Sequence, residues 1–335
     1  MSIASKRALE GKSAGLQGVV RVFLVLVLCI ASVANAQWSP TRAVRILVPF
    51  PPGGIADTLA RAMGQQMSQS LKTSVVIENR TGASTSIAGR EVARAEPDGY
   101  TLYVTPTTHV LAPYLLPSVP FDPVSDFTPL TQIVRTHALL VAGASTPFST
   151  LPELVAYARA NPGKLNIGSW SVGSTSHVFA ETLRTNAGID IVHIAHQGSA
   201  GAVAAILAGN IQLLFDSPLT LSPHLKSGRI KAIAFATEKR IPTMPEVPTL
   251  GEFGVKDIDI DGWIGVFGPK GMQPALAAAI GSELARAIRS KEVSELIERG
   301  GIQMVAGTPA EFATIVRRDY EAWGRLIKQS GIKFQ

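Results

Sequence analysis

The chain has 335 residues, with 31 lysines and arginines against 25 aspartates and glutamates, and one cysteine, Cys29. That length suffices for two domains with their own cores. The +6 charge comes with no basic stripe carrying interleaved aromatics, which argues against nucleic-acid binding, and a lone cysteine excludes an internal disulfide or a CxxC motif.

Residues 1–36 read as a secretory leader. Lys6, Arg7, Lys12 and Arg21 precede an apolar run from Val22 to Val33, and Ala34-Asn35-Ala36 supplies the small-x-small pattern cleaved by signal peptidase, with the cut expected after Ala36. The run is shorter than the ~20 residues of a bilayer span. Cys29 follows Leu28, where lipid attachment needs a small residue, so it reads as part of that run. The remaining 299 residues hold 27 basic against 24 acidic residues and no cysteine. They are expected to be exported, soluble, periplasmic and monomeric.

After the leader, strand and helix patterns alternate. Arg45–Phe50 predicts a strand, Ile55–Leu71 a helix, Ser74–Glu78 a strand, Ile87–Arg94 a helix and Tyr100–Thr105 a strand. This β-α-β-α-β order implies a parallel sheet flanked by helices. Pro106 to Pro129 has no clear period and reads as irregular with one short helix. A second α/β unit follows. Its predicted strands are His137–Ala142, Leu165–Gly168, Ile191–Ile194, Gln212–Phe215 and Ile230–Ala236. Its predicted helices are Leu151–Asn161, His177–Ala187 and Ala200–Ala208. Arg240–Thr249, with three prolines, reads as an extended connection. Gly262–Pro269 predicts a strand, and two helices close the chain. The last opens on Thr308-Pro309-Ala310-Glu311, a capping box with proline at the first helical position.

Five predicted strand-to-helix loops share one chemistry: Pro51–Ala56, Thr81–Ser86, Thr105–His109, Ser169–His177 and His196–Ala200. All are rich in Gly, Ser, Thr or Pro, and none carries Lys, Arg, Asp or Glu. In a parallel sheet such loops gather at the carboxyl ends of the strands, where ligands bind. One helix start contributes ~0.3–1 kcal/mol toward an anion, against ~8 kcal/mol for micromolar binding, so several loops must act together. Asp57, in the first turn of its helix, either complements the helix dipole, or orients the loop or accepts a hydrogen bond from a ligand's donor group. Asp216 either reaches the cleft or caps a turn. Trp170 either packs on an apolar ligand or covers its own domain. Gly168–Thr175 looks like a phosphate-binding loop without its lysine, since Ser174 stands where an ammonium is needed. His193 and His196 have HxxH spacing but too few companions for a metal, so neither metal nor cofactor is expected. A serine-dependent enzyme using Ser169 or Ser174, and a ligand-sensing partner of a membrane signalling receptor, are the alternatives to a binding protein.

The sequence resembles the periplasmic solute-binding receptors of the tripartite tricarboxylate transporters, the Bug receptors. The likeness is carried in order by Val48–Gly54 with Asp57 and Ala60-Arg61, by Asn79–Ala83 and by Pro97–Leu102. It continues through Gly168–His177 with Glu181, Gly209–Ile211 with Asp216, and Ser227–Ala232. Arg240, Pro245–Thr249 and Trp263 complete it. The resemblance implies an α/β, two-domain Venus-flytrap fold, each domain a mainly parallel sheet flanked by helices. Residues 37–137 plus 261–335 would form domain 1 and 138–260 domain 2, with hinges near His137 and Asp261. It implies no enzymatic activity, a small organic carboxylate as ligand and membrane permease subunits as partners. Gly54, Ala56, Asp57, Ala83, Ser84 and Thr85 would face the ligand from one side. Ser169, Gly173, Ser174, Thr175, Ser176, His196 and Asp216 would face it from the other. The loops add Phe50, Pro52, Gly53, Thr107, His109, Trp170 and Gly198 to the candidates. Three departures point to a bulkier or aromatic carboxylate: Ser84-Thr85 where the family has Gly-Gly, Ala195-His196 where it has proline and tyrosine, and Trp170 where a small residue or proline is common.

Overall fold

In the computed structural model the described residues are 38–116, 118–255 and 262–330. The expected leader with its cleavage site, and the expected hinge at Asp261, lie outside them. The predicted opening run is present as β1 (Val44–Val48), α1 (Ile55–Leu71), β2 (Val75–Asn79), α2 (Ser86–Ala93) and β3 (Thr101–Pro106). Val44, Ile46, Leu47 and Val48 are fully buried, as expected of a strand covered on both faces. The segment read as irregular holds α3 (Thr108–Leu115) and the start of β4 (Phe127–Thr136). The ten-residue β4 escapes sequence reading because Pro129 and alternating polar residues interrupt it. The strand accommodates Pro129 opposite Phe267, beside one of two register shifts in its pairing with a later strand, where a bulge relieves the ladder of a missing donor.

The chain then builds β5 (Leu139–Gly143), α4 (Leu151–Ala160), β6 (Leu165–Ser169), α5 (Thr175–Ala187), β7 (Ile191–Ala195) and α6 (Ser199–Leu207). It continues with β8 (Leu213–Asp216), α7 (Pro218–Lys226) and β9 (Ile230–Phe235). It ends with β10 (Gly262–Pro269), α8 (Pro274–Ile288), α9 (Lys291–Arg299), the short β11 (Gln303–Met304) and α10 (Pro309–Ser330). Three helices rather than two therefore follow β10, and α7 is an addition to the predicted elements. The Thr308 capping box forms: Thr308 N–H donates to Glu311 Oε2 at 2.8 Å and Glu311 N–H to Thr308 Oγ1 at 3.3 Å.

The strands form two sheets, ordered β11-β4-β10-β3-β1-β2 and β7-β6-β8-β5-β9. β1 is parallel to β2 and β3, and β6 is parallel to β7 and β8. β10 runs antiparallel between β3 and β4, and β5 antiparallel between β8 and β9. The chain passes from the first sheet to the second between Thr136 and Leu139 and returns before β10. α10 packs on β4 and α3, and its Trp323 lies 6.1 Å, ring to ring, from Phe179 of α5. One apolar cluster thus takes in Tyr103 and Phe267 of the first sheet, Leu140 and Phe215 of the second, and Phe312 and Trp323 of α10.

The seat of α10 is a missing side chain. A Cβ at Gly265, in the middle of β10, would lie 2.0 Å from Phe312 Cζ. Gly265→Ala is expected to lower the unfolding free energy by ~1–3 kcal/mol through overpacking, read as a fall in the urea midpoint at unchanged slope. Wild-type stability in that variant would refute this packing.

Candidate functional site

The β1–α1 turn is held by one carboxylate. Asp57 Oδ2 accepts from Gly53 N–H at 3.0 Å and from Arg61 Nε at 3.0 Å, while Oδ1 accepts from Asn79 Nδ2 at 2.9 Å. The same Asn79 amide donates to Phe50 O at 2.8 Å. Glycine allows Gly53 its φ of +94°. Burial alone would push Asp57 up, but Arg61, Gly53 and Asn79 outweigh it and leave the carboxyl below its ordinary value. Asp57 is 3% exposed and fully partnered.

On the second sheet three serine hydroxyls of the β6–α5 segment are spent internally, while Ser171 Oγ is buried without a hydrogen-bond partner among the described residues. Ser169 and Ser174 both donate to Ser171 O, at 3.0 and 2.8 Å, and Ser176 donates to Phe215 O at 2.8 Å. Because the Ser169 proton goes to Ser171, its oxygen accepts from His193 Nε2 at 2.7 Å. His193 stacks on His177 with ring centroids 3.6 Å apart, and Gly173 N–H donates to His177 Nδ1 at 3.3 Å. Burial pushes His177 down to about 3 and His193 to about 4, so both rings are neutral at pH 7. α5 begins at Thr175 with Ser174 as its cap, two residues earlier than predicted, which makes His177 part of the helix rather than its opening.

A cavity of about 60 Å³ lies between these loops, room for several waters at ~10–15 Å³ each, or for part of a small organic guest. Five helices begin at its wall. Gly54 and Thr107 precede α1 and α3, Thr175 and Ser199 open α5 and α6, and Ser217 caps α7. Phe50, Ile55, Trp170, Phe179, Trp263 and Ile264 supply apolar surface, and Asp57 and Asp216 the acidic groups. Among the described residues no Lys, Arg or His lines it.

Of the predicted site residues, the structure brings Phe50, Gly54, Ala56, Asp57, Thr107, Trp170, Thr175 and Asp216 to this cavity. Pro52 and Gly53 are exposed in the β1–α1 turn and do not line the cavity, and Gly198 abuts Pro51, whose Cδ would lie 2.9 Å from an added Cβ. Ser169, Gly173, Ser174 and Ser176 lie behind the wall, in the hydrogen bonds given above. His196 follows β7 and donates its main-chain N–H to Ser169 O at 2.8 Å, and its ring is not part of the lining. His109 is a correction. It is fully buried, stacks on Phe121 at 5.4 Å, and places Nε2 3.0 Å from Pro123 O. Burial pushes it down to about 4, and it is a core histidine.

In the second loop, Ser84 and Thr85 also stand outside the lining. Ser84 and Thr85 keep left-handed backbone, φ 43° and 83°, where glycine is the unstrained residue. Ser84 Oγ donates across to Val172 O of the β6–α5 loop at 2.9 Å. Sequence reasoning did not select Thr136, Gly262, Trp263, Ile264, Ser199 or Ser217 as site residues. The first four meet where β4 pairs with β10, Gly262 opposite Thr136, a contact between segments far apart in sequence. Ser199 lay within a flagged loop, and its position directly after Gly198 was the available signal.

Two α/β sheets bordering a cavity built from strand-end loops are the architecture of a periplasmic binding protein. Residues 59–332 match the tripartite tricarboxylate transporter family receptor, and the chain belongs to that family. It is 32% identical over 289 residues to the UPF0065 protein in the tcbD-tcbE intergenic region of Pseudomonas sp. strain P51, covering 86% of each chain. Among solved structures it resembles the periplasmic binding protein BugD (28% identity, TM-score 0.83, 88% of this chain and 100% of that one). It also resembles Rpa4515 of R. palustris with adipate (31%, 0.83, 88% and 99%) and MatC of Rhodopseudomonas palustris with bound malate (29%, 0.80, 86% and 99%). The protein is a solute-binding protein and not an enzyme.

Asp216 differs from Asp57 in having no cationic partner among the described residues. It is 1% exposed, and burial pushes it up to about 6 against the hydrogen bonds from Ser199 and Ser217. A raised carboxyl means that the native state holds the proton more tightly than the unfolded chain, so stability falls as pH rises from about 4 to about 6. Asp216→Asn removes the buried charge. It is expected to stabilise the free protein by on the order of 2–3 kcal/mol above pH 6, with the gain vanishing near pH 4, read from denaturant unfolding at both pH values. A gain that is equal at both would contradict the assignment.

Proposed function

We propose that this protein is exported with cleavage after Ala36, captures a small organic carboxylate and delivers it, as a monomer, to the permease subunits of a tripartite membrane transporter. The moving parts are a lobe of residues 37–137 and 261–335 and a lobe of 138–260, hinged near His137 and Asp261. The observation that carries the reading is the convergence of five helix starts on one cavity. Each carries a partial positive charge, those of α1, α3 and α6 have no side-chain cap, and helix starts are the usual hosts of carboxylate and phosphate oxygens.

The apolar surface of Phe50, Trp170, Phe179 and Trp263 favours a guest with an apolar body, an aromatic or bulky aliphatic carboxylate over a compact polar one. The structural neighbours with adipate and malate support the carboxylate class. Guest binding must favour the conformation that the permease accepts, since a ligand shifts an equilibrium only through differential affinity.

Thermal-shift measurements with benzoate, adipate, malate, glucose and spermidine test the reading. A cognate carboxylate at 100 times its Kd adds ~2.7 kcal/mol, a rise of several degrees for a chain of this size. Benzoate or adipate is expected to exceed malate. A rise with glucose or spermidine and none with any carboxylate would overturn the proposal.

A further inference from the structure

Asp216 ends β8 against the cavity. Its Oδ1 accepts from Ser217 N–H at 2.7 Å and its Oδ2 from the Ser199 hydroxyl. Two donors leave lone pairs on a carboxylate that has about four acceptor positions. The charges around it do not neutralise it. Across the cavity stands Asp57, whose own charge is met by Arg61. β5, β6 and α6, which flank β8, carry no titratable side chain. α5 carries His177, stacked on His193, and Glu181, paired with Arg184. α7 has His224 and Lys226 in its last turn, at the opposite end from Ser217.

A carboxylate guest entering this cavity brings a second unpaired negative charge into a site walled by apolar side chains. Two carboxylates in such a site do not both stay ionised; they share a proton. Each helix start favours an anion by only ~0.3–1 kcal/mol, which does not remove the repulsion between two carboxylates brought side by side against an apolar wall. The rise of Asp216 to about 6 in the free protein agrees with the direction that this geometry sets.

Resting on the carboxylate reading above, we propose that Asp216 is a specificity residue that takes a proton from solvent as the guest enters and donates it in a hydrogen bond to a guest oxygen. For a monocarboxylate such as benzoate the charge balances: one guest anion and one proton enter together, and the cavity gains no net charge; a dicarboxylate such as adipate brings one further negative charge. The site therefore selects ionised carboxylates by supplying an uncharged O–H donor where an arginine would otherwise be required.

Calorimetry of adipate and benzoate binding at pH 7.5, in buffers of different ionisation enthalpy, tests this. Wild type is expected to take up close to one proton per guest, and its affinity to fall up to tenfold per pH unit between pH 6.5 and 8.5. Asp216→Asn is expected to bind without proton uptake and with a flat profile. Carboxyl-carbon NMR of the wild type, assigned through the Ser217 amide, gives a second readout that does not depend on the variant: Asp216 should shift to its protonated position on adding guest at pH 7.5. Binding without proton uptake, uptake retained in Asp216→Asn, or an Asp216 signal that stays ionised would overturn the proposal while leaving the carboxylate reading intact. Failure of both acids to bind at any pH from 5 to 8, with glucose or spermidine binding instead, would remove the carboxylate reading and this inference with it.

Discussion

Five helix starts around one small volume set the terms for everything else in this protein. A helix start leaves N–H groups without internal partners, and gathering several at one place is tolerable where something negative or hydrogen-bonding meets them. Some of those needs are met from within. Ser174 and Ser217 cap their own helices, but α1 begins at Gly54 and α6 at Gly198, with no side-chain cap at either. Both of those starts belong to the loops that face one another. An added Cβ at Gly54 would sit 3.5 Å from Ser199 Cβ, and one at Gly53 3.6 Å from Ala200 Cβ. Bare backbone lets the two sides approach this closely.

The clamp made by Asp57 keeps that arrangement in place. It joins the turn at Gly53, the helix at Arg61 and the end of β2 at Asn79, and Asn79 in turn fixes Phe50. A cavity wall made of loops is thereby tied to three regular elements, so its shape follows the sheet. The dipole reading of Asp57 and its orienting role turn out to be one arrangement, because the same carboxylate does both. The serines of the β6–α5 loop act in a comparable way, as internal ties rather than as a row of open donors, and they hold the ring pair of His177 and His193 beneath the wall.

Most of the fold was readable from period and punctuation, because central parallel strands are runs of buried aliphatics and the turns between them are marked by Gly, Pro, Ser and Thr. β4 was not, since its pairing partner lies more than a hundred residues later and its proline is accommodated only by the register shifts of that pairing. The site was legible in the same proportion. Loops at strand ends announced Gly54, Asp57, Thr107, Trp170 and Thr175, and the strand end announced Asp216. Which member of each loop turns inward was not announced, because Thr175 and Ser176 are adjacent and chemically alike, yet one lines the cavity and the other bonds to Phe215. His109 misled for a related reason. It opens a helix at a strand end, as site residues do, but Phe121, Phe127 and Phe267 close around it. Trp263 is brought in by the returning chain, and Thr136 joins it only through the pairing of β4 with β10, a tertiary fact without a local signature.

The two aspartates of the cavity show how a site can favour anions while carrying acidic groups. Composition treats them as equal negative charges, whereas the structure does not. Asp57 has a guanidinium, an amide and a main-chain N–H, and is held below its ordinary pKa. Asp216 has a hydroxyl and a main-chain N–H, and is held above it. The first keeps its charge and spends it on geometry, leaving little of it felt by a guest. The second can lose its charge within reach of neutral pH, and a group poised in that way responds to whatever charge arrives next to it. An arginine in its place would attract anions without regard to their proton balance, whereas an uncompensated aspartate ties the fate of a guest to the proton concentration outside.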